Sequence, residues 1–287
     1  MAVVVITGTS TGIGLATAVA FSRAGYETYA TMRRPEVSPE LAGVARSEKL
    51  PIKILTMDVD DDRSVSSAFQ KILAEAGRID VLVNNAGIHA QGATEELPLA
   101  EFRRVMETNY FGVLRCIQAV LPSMRSQASG YIVNVSTVGG RITGLSQGPY
   151  SGSKFALEAI SEILAGEVKR FGIHVAIVEP GGFVTPIFGK MRAVPKNTLY
   201  PQERRMNAIY AALVKMGQPP SMLAERIVKI VRSGTWQLRH PVGADAEGFL
   251  KYRASISDEH WVDLHAIATD EEFAAAAKRE FGLELDL

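Results

Sequence analysis

Short apolar segments alternate with helical segments through the first two thirds of the chain, and this alternation constrains the fold more than any other feature. The predicted strands, rich in Val and Ile, are Val3–Thr7, Glu27–Thr31, Ile52–Met57, Val81–Asn84, Tyr131–Val135, His174–Val178 and Trp236–Leu238. The predicted helices are Ile13–Ala24, Arg63–Glu75, Glu101–Met124, Tyr150–Phe171 and Met222–Val231. Buried strands that each lead into a helix indicate an α/β fold with a parallel sheet covered on both faces. No linker or internal repeat divides the 287 residues, so the sequence predicts a single domain over 1–287.

Two segments break the alternation. Residues 186–221 contain five prolines and follow the sixth predicted strand. Because ligands of such sheets bind at the carboxyl ends of the strands, this insertion is predicted to be a substrate lid; a surface excursion with a short helix is the alternative. Residues 243–287 form a helical C-terminal extension, in which Asp270–Lys278 has the pattern of a capped helix.

The composition argues against several classes of function. Lys and Arg number 31, as do Asp and Glu, so the chain has no basic footprint for nucleic acid. No window is apolar enough for a membrane span, no basic leader precedes Val3, and the histidines lack metal-ligand spacing, so neither a membrane span nor a metal site is predicted. The single cysteine, Cys116, excludes an internal disulfide and fits a reducing compartment, which predicts a cytoplasmic protein.

The first predicted strand ends in a glycine-rich loop, Thr7–Gly14, that directly precedes a helix. Its three glycines permit a tight turn, a close backbone approach to a pyrophosphate, and close packing of the helix on the sheet. The start of the helix offers free N–H groups and the positive end of the helix dipole to phosphates. The strand–loop–helix context therefore predicts a dinucleotide site.

Tyr150 and Lys154 are four residues apart at the start of an amphipathic helix, so they lie on one face of it. An ammonium beside a phenol favours the phenolate and lowers the pKa of the phenol from its usual value of about 10. Such a tyrosine can donate or accept a proton near neutral pH. This spacing is common on helices, so its meaning depends on the other motifs.

With its motifs in this order, the chain resembles the short-chain dehydrogenase/reductase superfamily, in its single-domain branch, over about residues 2 to 240. The motifs that carry the resemblance are Thr7-Gly8-x-x-x-Gly12-x-Gly14, Asp58-Val59, Asn84-Asn85-Ala86-Gly87, Asn109, Asn134-Val135-Ser136-Thr137, Tyr150-x-x-x-Lys154 and Pro180-Gly181. Ala30–Arg33 and Ser136–Gly140 look most similar to hydroxysteroid- and retinol-dehydrogenase-like members. The resemblance implies a doubly wound Rossmann fold with a mainly parallel seven-stranded sheet in the order 3-2-1-4-5-6-7.

The resemblance also implies a catalytic set of Asn109, Thr137, Tyr150 and Lys154. In this set Tyr150 is the general acid/base, and Lys154 lowers its pKa and hydrogen-bonds the nicotinamide ribose. Asn109 would hold a water that links Lys154 to solvent; a residue that kinks the helix is the alternative. The family has a serine thirteen residues before the tyrosine, where this chain has Thr137, and the adjacent Ser136 is the alternative hydroxyl. Threonine keeps the hydroxyl but adds a methyl group that crowds the pocket.

The same resemblance assigns the cofactor contacts. Asp58 and Val59 would contact the adenine, Asn85–Gly87 would border the adenosine ribose, and the segment after the sixth strand would hold the nicotinamide amide. A helix cap is the alternative role for Asp58, and the two roles are compatible. The predicted cofactor-binding residues are Gly8, Ser10, Thr11, Gly12, Ile13, Gly14, Arg33, Arg34, Asp58, Val59, Asn85, Ala86, Gly87, Tyr150, Lys154, Pro180, Gly181, Phe183 and Thr185.

The end of the second strand predicts NADP(H) rather than NAD. Sites that prefer NAD place an Asp or Glu there to bind the ribose hydroxyls, whereas this chain has Arg33 and Arg34. A guanidinium can pair with the 2′-phosphate of NADP, and a carboxylate would repel it. Two solvated arginines in a loop are the alternative.

The sequence thus predicts an NADP(H)-dependent oxidoreductase that transfers a hydride between the nicotinamide and a carbonyl/secondary alcohol pair, with an apolar ketone, aldehyde or steroid-like alcohol as substrate. An NAD-dependent alcohol dehydrogenase of the same fold, and a non-catalytic NADP(H)-binding sensor or scaffold, stay open. Candidate substrate-lining residues are His89, Gln91, Arg141, Gln147 and Phe183. By resemblance, the helices predicted at 101–124 and 150–171 would form a homodimer or homotetramer.

Overall fold

A seven-stranded sheet lies at the centre of the fold, with its strands in the order β3-β2-β1-β4-β5-β6-β7. The computed structural model describes residues 1–187, 194–215 and 217–287. The strands are β1 Val3–Thr7, β2 Glu27–Met32, β3 Ile52–Thr56, β4 Val81–Asn84, β5 Gly130–Val135, β6 Ile173–Pro180 and β7 Arg239–Val242. Every pairing between these strands is parallel. The predicted Rossmann fold and its strand order are confirmed.

Helices cover both faces of this sheet. They are α1 Gly12–Arg23, α2 Glu40–Ser47, α3 Asp62–Ala76, α4 Leu99–Met106, α5 Gly112–Ser126, α6 Gly148–Val168, α7 Gln202–Lys215, α8 Pro220–Ser233, α9 Ala246–Ser255, α10 Asp258–Ala266 and α11 Asp270–Phe281. Helices α3, α5 and α6 pack on one face, and α1 and α8 pack on the other. None of the helices in the described ranges combines the length and the apolar composition that a membrane span requires.

Strand β1 shows why these segments are buried on both sides. All five of its residues are buried. Val3 and Val5 join the apolar cluster beneath α3 and α5, whereas Val4 and Ile6 join the cluster beneath α1 and α8. Successive side chains of a strand point to opposite faces, so a continuous apolar run fits a sheet that is covered on both faces.

The predicted position of the seventh strand, Trp236–Leu238, is wrong. The strand is Arg239–Val242, and it includes Pro241, which pairs with Glu179 of β6. A proline cannot donate to the hydrogen-bond ladder, but β7 is an edge strand, where its missing N–H can face away from the sheet. Trp236 lies outside the strand, 49% exposed, and stacks on His174 with 3.6 Å between ring centroids.

The single helix predicted over 101–124 is also wrong in detail. A π-helical turn, Glu107–Phe111, separates α4 from α5. The side chain of Asn109 lies inside this turn and bonds the backbone of Ile88 in both directions, by Ile88 N–H to Oδ1 (2.8 Å) and by Nδ2–H to Ile88 O (2.9 Å). Single π-turns inside α-helices are rare and occur mostly at functional positions.

The insertion and the C-terminal extension pack against each other. Within its described part, the predicted insertion 186–221 contains α7, while residues 188–193 and 216 lie outside the described residues. Met206 and Tyr210 of α7 pack with Phe273 of α11 and with Leu145 of the loop after β5. A second cluster joins Ala212 of α7 to Ala277 of α11 and to Leu283.

Arg205 of α7 holds that helix against the start of α11 and the loop before it. Its side chain is 1% exposed, and its guanidinium donates to Asp270 Oδ1 (2.9 Å), Ile267 O (2.6 Å) and Ala268 O (3.2 Å). The same guanidinium lies 4.9 Å from the ring centroid of Phe273. A buried cation is stable only when its donors are satisfied, so α7 and the loop between α10 and α11 are held in one fixed arrangement.

We expect Arg205→Leu to lower the free energy of unfolding by about 2–4 kcal/mol, because the carbonyls of Ile267 and Ala268 and the carboxylate of Asp270 lose their buried donor. Arg204 offers a matched control, since it pairs with the same Asp270 but is half exposed. Arg204→Leu should cost less than about 1 kcal/mol. Urea denaturation of both variants measures the difference, and equal losses would show that the buried network is not the source of the stability.

Candidate active site

The glycine loop after β1 is pressed against the segment that follows β4. Gly8 has a positive φ of 71°, and a Cβ at this position would lie 2.6 Å from Ala86 Cα. A Cβ at Gly14 would lie 2.2 Å from Gly8 O. Asn85 Nδ2 donates to Thr7 O (2.9 Å) and Gly8 O (3.1 Å). These contacts fix the loop backbone with no room for side chains.

Helix α1 begins directly after this loop, at Gly12, with Thr11 as its N-cap residue. Its first turn contains no acidic residue, and Thr11 makes no side-chain capping bond. Ser10, Thr11 and Ile13 therefore surround a helix N-terminus whose positive dipole end is not neutralised by the chain itself. Such an end suits a phosphate.

The two arginines predicted to select NADP are exposed just beyond the end of β2. Glu27, the acidic residue of that strand, lies at its opposite end, where it pairs with Lys53 Nζ at 2.7 Å. Arg33 lies close enough to Asp60 to lower the pKa of that carboxyl, although burial raises it more. Cationic side chains thus occupy the position where an acidic residue would bind ribose hydroxyls.

Asp58 and Val59 follow β3, as predicted for a site near the adenine. The Asp58 N–H donates to Ser64 Oγ (2.9 Å), and Asp58 Oδ1 accepts from Asp60 N–H (3.1 Å). Helix α3 is capped instead by Asp61, whose carboxylate accepts from Ser64 N–H. The side chain of Asp58 is therefore not the cap of α3.

Asn109 joins the loop after β4 to helix α6. It is fully buried, and its Nδ2 donates to Ser153 Oγ (3.0 Å) as well as to Ile88 O. Its Oδ1 lies 3.3 Å from the point where a Cβ at Gly87 would stand, and Lys154 Nζ lies 3.8 Å from that point. Asn109, Gly87 and Lys154 are therefore neighbours, although the sequence separates them by up to 67 positions (154 minus 87).

The side chains of Tyr150 and Thr137 are neighbours, and both line the same cavity. Thr137 Oγ1 donates to Pro180 O (3.2 Å) and accepts from Gly139 N–H (3.2 Å). The adjacent Ser136 is buried and faces Glu158 instead. The two hydroxyls point to opposite sides, as neighbouring residues of an extended chain do, and only Thr137 meets Tyr150.

Burial, rather than charge, dominates the electrostatics of the pair Tyr150 and Lys154. Burial raises the pKa of Tyr150 to about 12, and the neighbouring Thr137 hydroxyl lowers it only in part. Burial lowers the pKa of Lys154 to about 8, against the charge of Glu158, which raises it. Lys154 Nζ donates to Val135 O (2.9 Å) and lies 5.9 Å from the Tyr150 ring centroid. The predicted lowering of the Tyr150 pKa by Lys154 is therefore outweighed in the polypeptide by loss of solvation.

His89 packs directly on Tyr150. The two ring centroids are 4.8 Å apart, and His89 Nε2 forms a hydrogen bond with Tyr210 Oη (3.2 Å). Burial lowers the pKa of His89 to about 4, so the imidazole is neutral near pH 7. The sequence predicts His89 near the substrate. It does not predict Tyr210 there, because no motif marks α7, the helix that carries Tyr210.

A largely apolar cavity of about 170 Å³ is lined in part by Thr137 and Tyr150. Its walls come from α7, from the loop after β5 and from the C-terminal helices, and they include Leu145, Met206, Ile209, Leu213, Phe249 and Phe273. Gln147 lines the cavity as predicted for a substrate-lining residue. Apolar cavities with a few convergent polar groups are the usual form of small-molecule sites.

Three other candidate lining residues have different surroundings. Gln91 is buried and bonds α7, by Nε2–H to Asn207 Oδ1 (2.6 Å) and Glu203 O (3.2 Å). Arg141 lies 3.6 Å from Glu179 in an ion pair. Phe183 is 3% exposed and belongs to the apolar core on the α1 and α8 face. These contacts give each side chain a structural role.

The segment after β6 runs beside the glycine loop. Pro180 and Gly181 lead into Gly182, whose N–H donates to Asp245 Oδ2 (2.7 Å). The side chain of Thr185 lies within 3.9 Å of the point where a Cβ at Gly12 would stand. The start of α1 and the segment after β6 are therefore in contact. In the described part of the chain, no group of three or more His, Cys, Asp or Glu side chains is arranged to hold a metal ion.

A family model and a solved structure match most of this chain. Residues 2–196 match the family model described as short chain dehydrogenase. The crystal structure of a short-chain dehydrogenase from Streptomyces avermitilis superposes with a TM-score of 0.79 and 34% identity, covering 97% of this chain and 98% of that one.

Two curated relatives match most of the chain. Oxidoreductase BOA17 of Botryotinia fuckeliana is 35% identical over 267 residues, which is 90% of this chain and 96% of the relative. Retinol dehydrogenase 8 of Bos taurus is 36% identical over 252 residues, which is 82% of this chain and 80% of the relative. Both matches extend well beyond residue 196, so the likeness includes part of the C-terminal region.

The neutral state of His89 predicts a pH dependence of stability. The pKa is about 4 in the folded protein and 6.5 in a free side chain, so the unfolded state binds the proton first as the pH falls. His89 therefore contributes a loss of stability between pH 6.5 and pH 4, of up to about 2.5 kcal/mol at pH 4.5, whereas Glu179, whose pKa burial raises to about 7, contributes a change of the opposite sign. Burial lowers the pKa of His240 and His265 in the same sense, so they share the effect.

Urea denaturation of wild type and variants at pH 7 and pH 4.5 isolates the contribution of His89 from those of the other titrating groups. Relative to wild type, His89→Gln should lose less stability, or gain more, on going from pH 7 to pH 4.5, because the glutamine cannot titrate, whereas His260→Gln, at an exposed position, should change stability as the wild type does. An identical change in wild type and His89→Gln would contradict the buried neutral state of His89.

Proposed function

The chain belongs to the short chain dehydrogenase family, and from that membership we propose that it is an NADP(H)-dependent oxidoreductase acting on a carbonyl/secondary alcohol pair. The observation that carries the proposal is that Tyr150 and Thr137 lie side by side in the wall of an apolar cavity. A proton donor of this kind beside a hydrophobic pocket suits the reduction of an apolar carbonyl.

The backbone around the glycine loop fits a dinucleotide. The points where Cβ atoms at Gly8 and Gly14 would stand are occupied by neighbouring backbone, and the N-terminus of α1 has no acidic residue to neutralise it. Under the proposal, Gly8, Ser10, Thr11, Gly12, Ile13 and Gly14 hold the pyrophosphate. Asp58, Val59 and Asn85–Gly87 border the adenosine, and Pro180–Thr185 border the nicotinamide. When bound, the cofactor supplies or accepts the hydride.

The choice of NADP(H) over NAD rests on Arg33 and Arg34. Both are exposed at the end of β2, where they can reach a 2′-phosphate without a desolvation cost. Glu27, the acidic residue of β2, is held by Lys53 at the other end of the strand. An NAD-dependent dehydrogenase remains the second reading of the same fold.

Four side chains at or near the cavity have separate roles in the proposed proton transfer. Tyr150 donates its phenolic proton to the carbonyl oxygen during reduction and recovers it during oxidation. Thr137, beside the tyrosine, holds that oxygen by its hydroxyl group. Lys154, buried and hydrogen-bonded to Val135 O, places an ammonium near the phenol and stabilises the phenolate that forms. Asn109 holds Ser153, one residue before Lys154, in place.

The walls of the cavity favour an apolar substrate. Aliphatic and aromatic side chains of α7 and α11 line most of it, among them Met206 and Phe273. The name of one relative, retinol dehydrogenase 8, gives an apolar alcohol as its substrate. We therefore propose a ketone, aldehyde or secondary alcohol with a large apolar part, with the insertion 186–221 acting as a lid over it.

Assembly and location are part of the same proposal. Phe155 and Ile163 of α6 are 41% and 55% exposed, and Phe111, next to α5, is 45% exposed. Exposed apolar side chains on adjacent helices favour contact with a second copy, which agrees with a homodimer or homotetramer. A cytoplasmic location stays a prediction.

Arg33→Asp tests the cofactor assignment. We expect the affinity for NADPH to fall by about 100-fold, because a charge-assisted pair is replaced by repulsion, while the affinity for NADH stays equal or rises. Arg46→Asp makes the same charge change at an exposed position of α2 and should leave both affinities unchanged. Fluorescence titration of both cofactors measures this, and an unaltered NADPH preference in Arg33→Asp would refute the assignment.

Substitutions at the hydroxyl pair test the proton chemistry. Thr137→Val keeps the shape but removes the hydroxyl, so kcat for carbonyl reduction should fall about 100-fold, and Tyr150→Phe should lower it about 1,000-fold. Thr137→Ser should retain activity, and Ser136→Ala should change kcat less than tenfold, because that hydroxyl faces away from Tyr150. Oxidation of NADPH against a panel of carbonyls is the measurement. Tight NADPH binding by the wild type without turnover of any carbonyl would instead favour the sensor or scaffold.

A further inference from the structure

A row of four side chains continues the Tyr150 and Lys154 spacing along α6. The next members, each four residues on, are Glu158 and Glu162. Residues at this spacing lie on one helical face, one turn apart. Glu162 has 62% of its side chain exposed, whereas Glu158 is 4% exposed, so the row passes from the catalytic end through a buried carboxylate to solvent.

Glu158 shares its buried site with a second carboxylate, that of Glu179 on β6. The side chain of Glu179 is fully buried, and neither of its oxygens has a hydrogen-bond partner among the described residues. Arg239 Nε donates to Glu158 Oε2 (3.1 Å) and lies 3.6 Å from Glu179 Oε1. Arg141 lies 3.6 Å from the same Glu179 oxygen, and the Ser136 hydroxyl faces Glu158.

Ionising both of two neighbouring buried carboxylates is unfavourable in free energy. The carboxyl with the higher pKa is therefore the one that stays protonated. Burial and the neighbouring Glu158 raise the pKa of Glu179 to about 7, against Arg141 and Arg239. Burial also raises the pKa of Glu158, but the nearby Ser136 hydroxyl and the hydrogen bond from Arg239 lower it. Glu158 is therefore the carboxyl group that ionises more readily, and Glu179 is the one that more readily keeps its proton near neutral pH.

The charge on Glu158 acts on Lys154, one turn before it. Burial lowers the pKa of Lys154 to about 8, and Glu158 opposes this effect. The charged and titratable groups that surround this turn are Tyr150 and Glu162 on α6, Glu179 on β6, Arg239 on β7, and Arg141 after the turn Val138–Gly140. Among them Glu158 is the buried, arginine-bound anion nearest to Lys154 in the helix.

We propose that Glu158 is a positioning residue, whose buried carboxylate keeps Lys154 in its ammonium form, while the neighbouring Glu179 stays protonated. The proposal rests on the role given above to Lys154 in the proposed function. It adds Glu158, one helical turn further along α6, to the functional residues Tyr150 and Lys154.

The first test measures Lys154 directly in the full-length protein, without substrate. Lysine labelled with ¹³C at Cε is titrated by NMR, and Lys154→Met identifies the signal. In Glu158→Gln the Lys154 pKa should fall by about 0.5–1 unit, because the opposing anion is gone. Glu162→Gln is the matched control: it removes a carboxylate of the same row that binds the same Arg239 but is exposed, and should move the pKa by less than about 0.2 unit.

A buried amide at position 158 can itself disturb folding, so Glu158→Met provides a second neutral variant of similar volume. It should give the same shift as Glu158→Gln, and Glu158→Asp, which keeps the charge, should restore most of the wild-type value. Thermal melting establishes that each variant is folded at the pH of the measurement. A Lys154 pKa that is equal in wild type, Glu158→Gln and Glu158→Met overturns the proposal.

The second test follows the pH profile of kcat for carbonyl reduction. Loss of the ammonium at high pH should set the basic limb, so this limb should move to lower pH in Glu158→Gln by the same amount as the NMR shift, with the KM for NADPH at pH 6 unchanged. A fall in kcat that is equal at every pH would indicate a structural defect and overturn the proposal. If the wild type turns over no carbonyl, the proposed function fails, while the NMR titration still decides whether Glu158 controls Lys154.

Discussion

The registration of α6 on the sheet is the interaction on which the rest of the site depends. Asn84 Nδ2 donates to Asn134 Oδ1 (2.8 Å), and Asn134 Nδ2 donates to Ser161 Oγ (2.8 Å), which ties β4, β5 and α6 together in a buried chain. Lys154 Nζ adds a bond to Val135 O. Because each buried donor must keep its partner, the helix cannot slide or rotate without leaving polar groups unsatisfied. The position of Tyr150 relative to Thr137 follows from that constraint.

The same burial that fixes the helix also determines its electrostatics. A phenol and an ammonium removed from water both shift towards their neutral forms, so the spacing of Tyr150 and Lys154 does not by itself produce a phenolate. Neighbouring groups have to restore the useful charge states. Thr137 lowers the pKa of the tyrosine in part, and the charge of Glu158 favours the ammonium of the lysine. The helix thus works as a row of coupled groups rather than as one reactive pair.

The sequence predicts well whatever depends on local pattern. Apolar runs, rich in Val and Ile except in β2, mark β1 to β6, whose predicted ends lie within two residues of the observed ones, and the glycine loop marks the start of α1. Local pattern does not predict elements that depend on tertiary context. Pro241 argues against a strand at β7, but an edge strand can contain a proline. The π-turn at Asn109 is hidden because the apolar periodicity continues across it. Helix α2 is not predicted, α7 is anticipated only by the alternative of a short helix within 186–221, and α9 and α10 only by the helical character of 243–287. Tyr210 of α7 is not predicted, since packing rather than a motif brings it to the site.

The order of the parts along the chain has a consequence for biosynthesis. The glycine loop, Asn109, Thr137, Tyr150 and Lys154 all precede residue 155, whereas the cavity walls formed by α7 and α11, clamped by Arg205, come after residue 200. Chains emerge from the ribosome amino end first, and early segments can begin to assemble before later ones exist. A nascent chain therefore carries the parts of the cofactor cleft well before it has a pocket, and its reactive end faces open water until the last helix closes the wall.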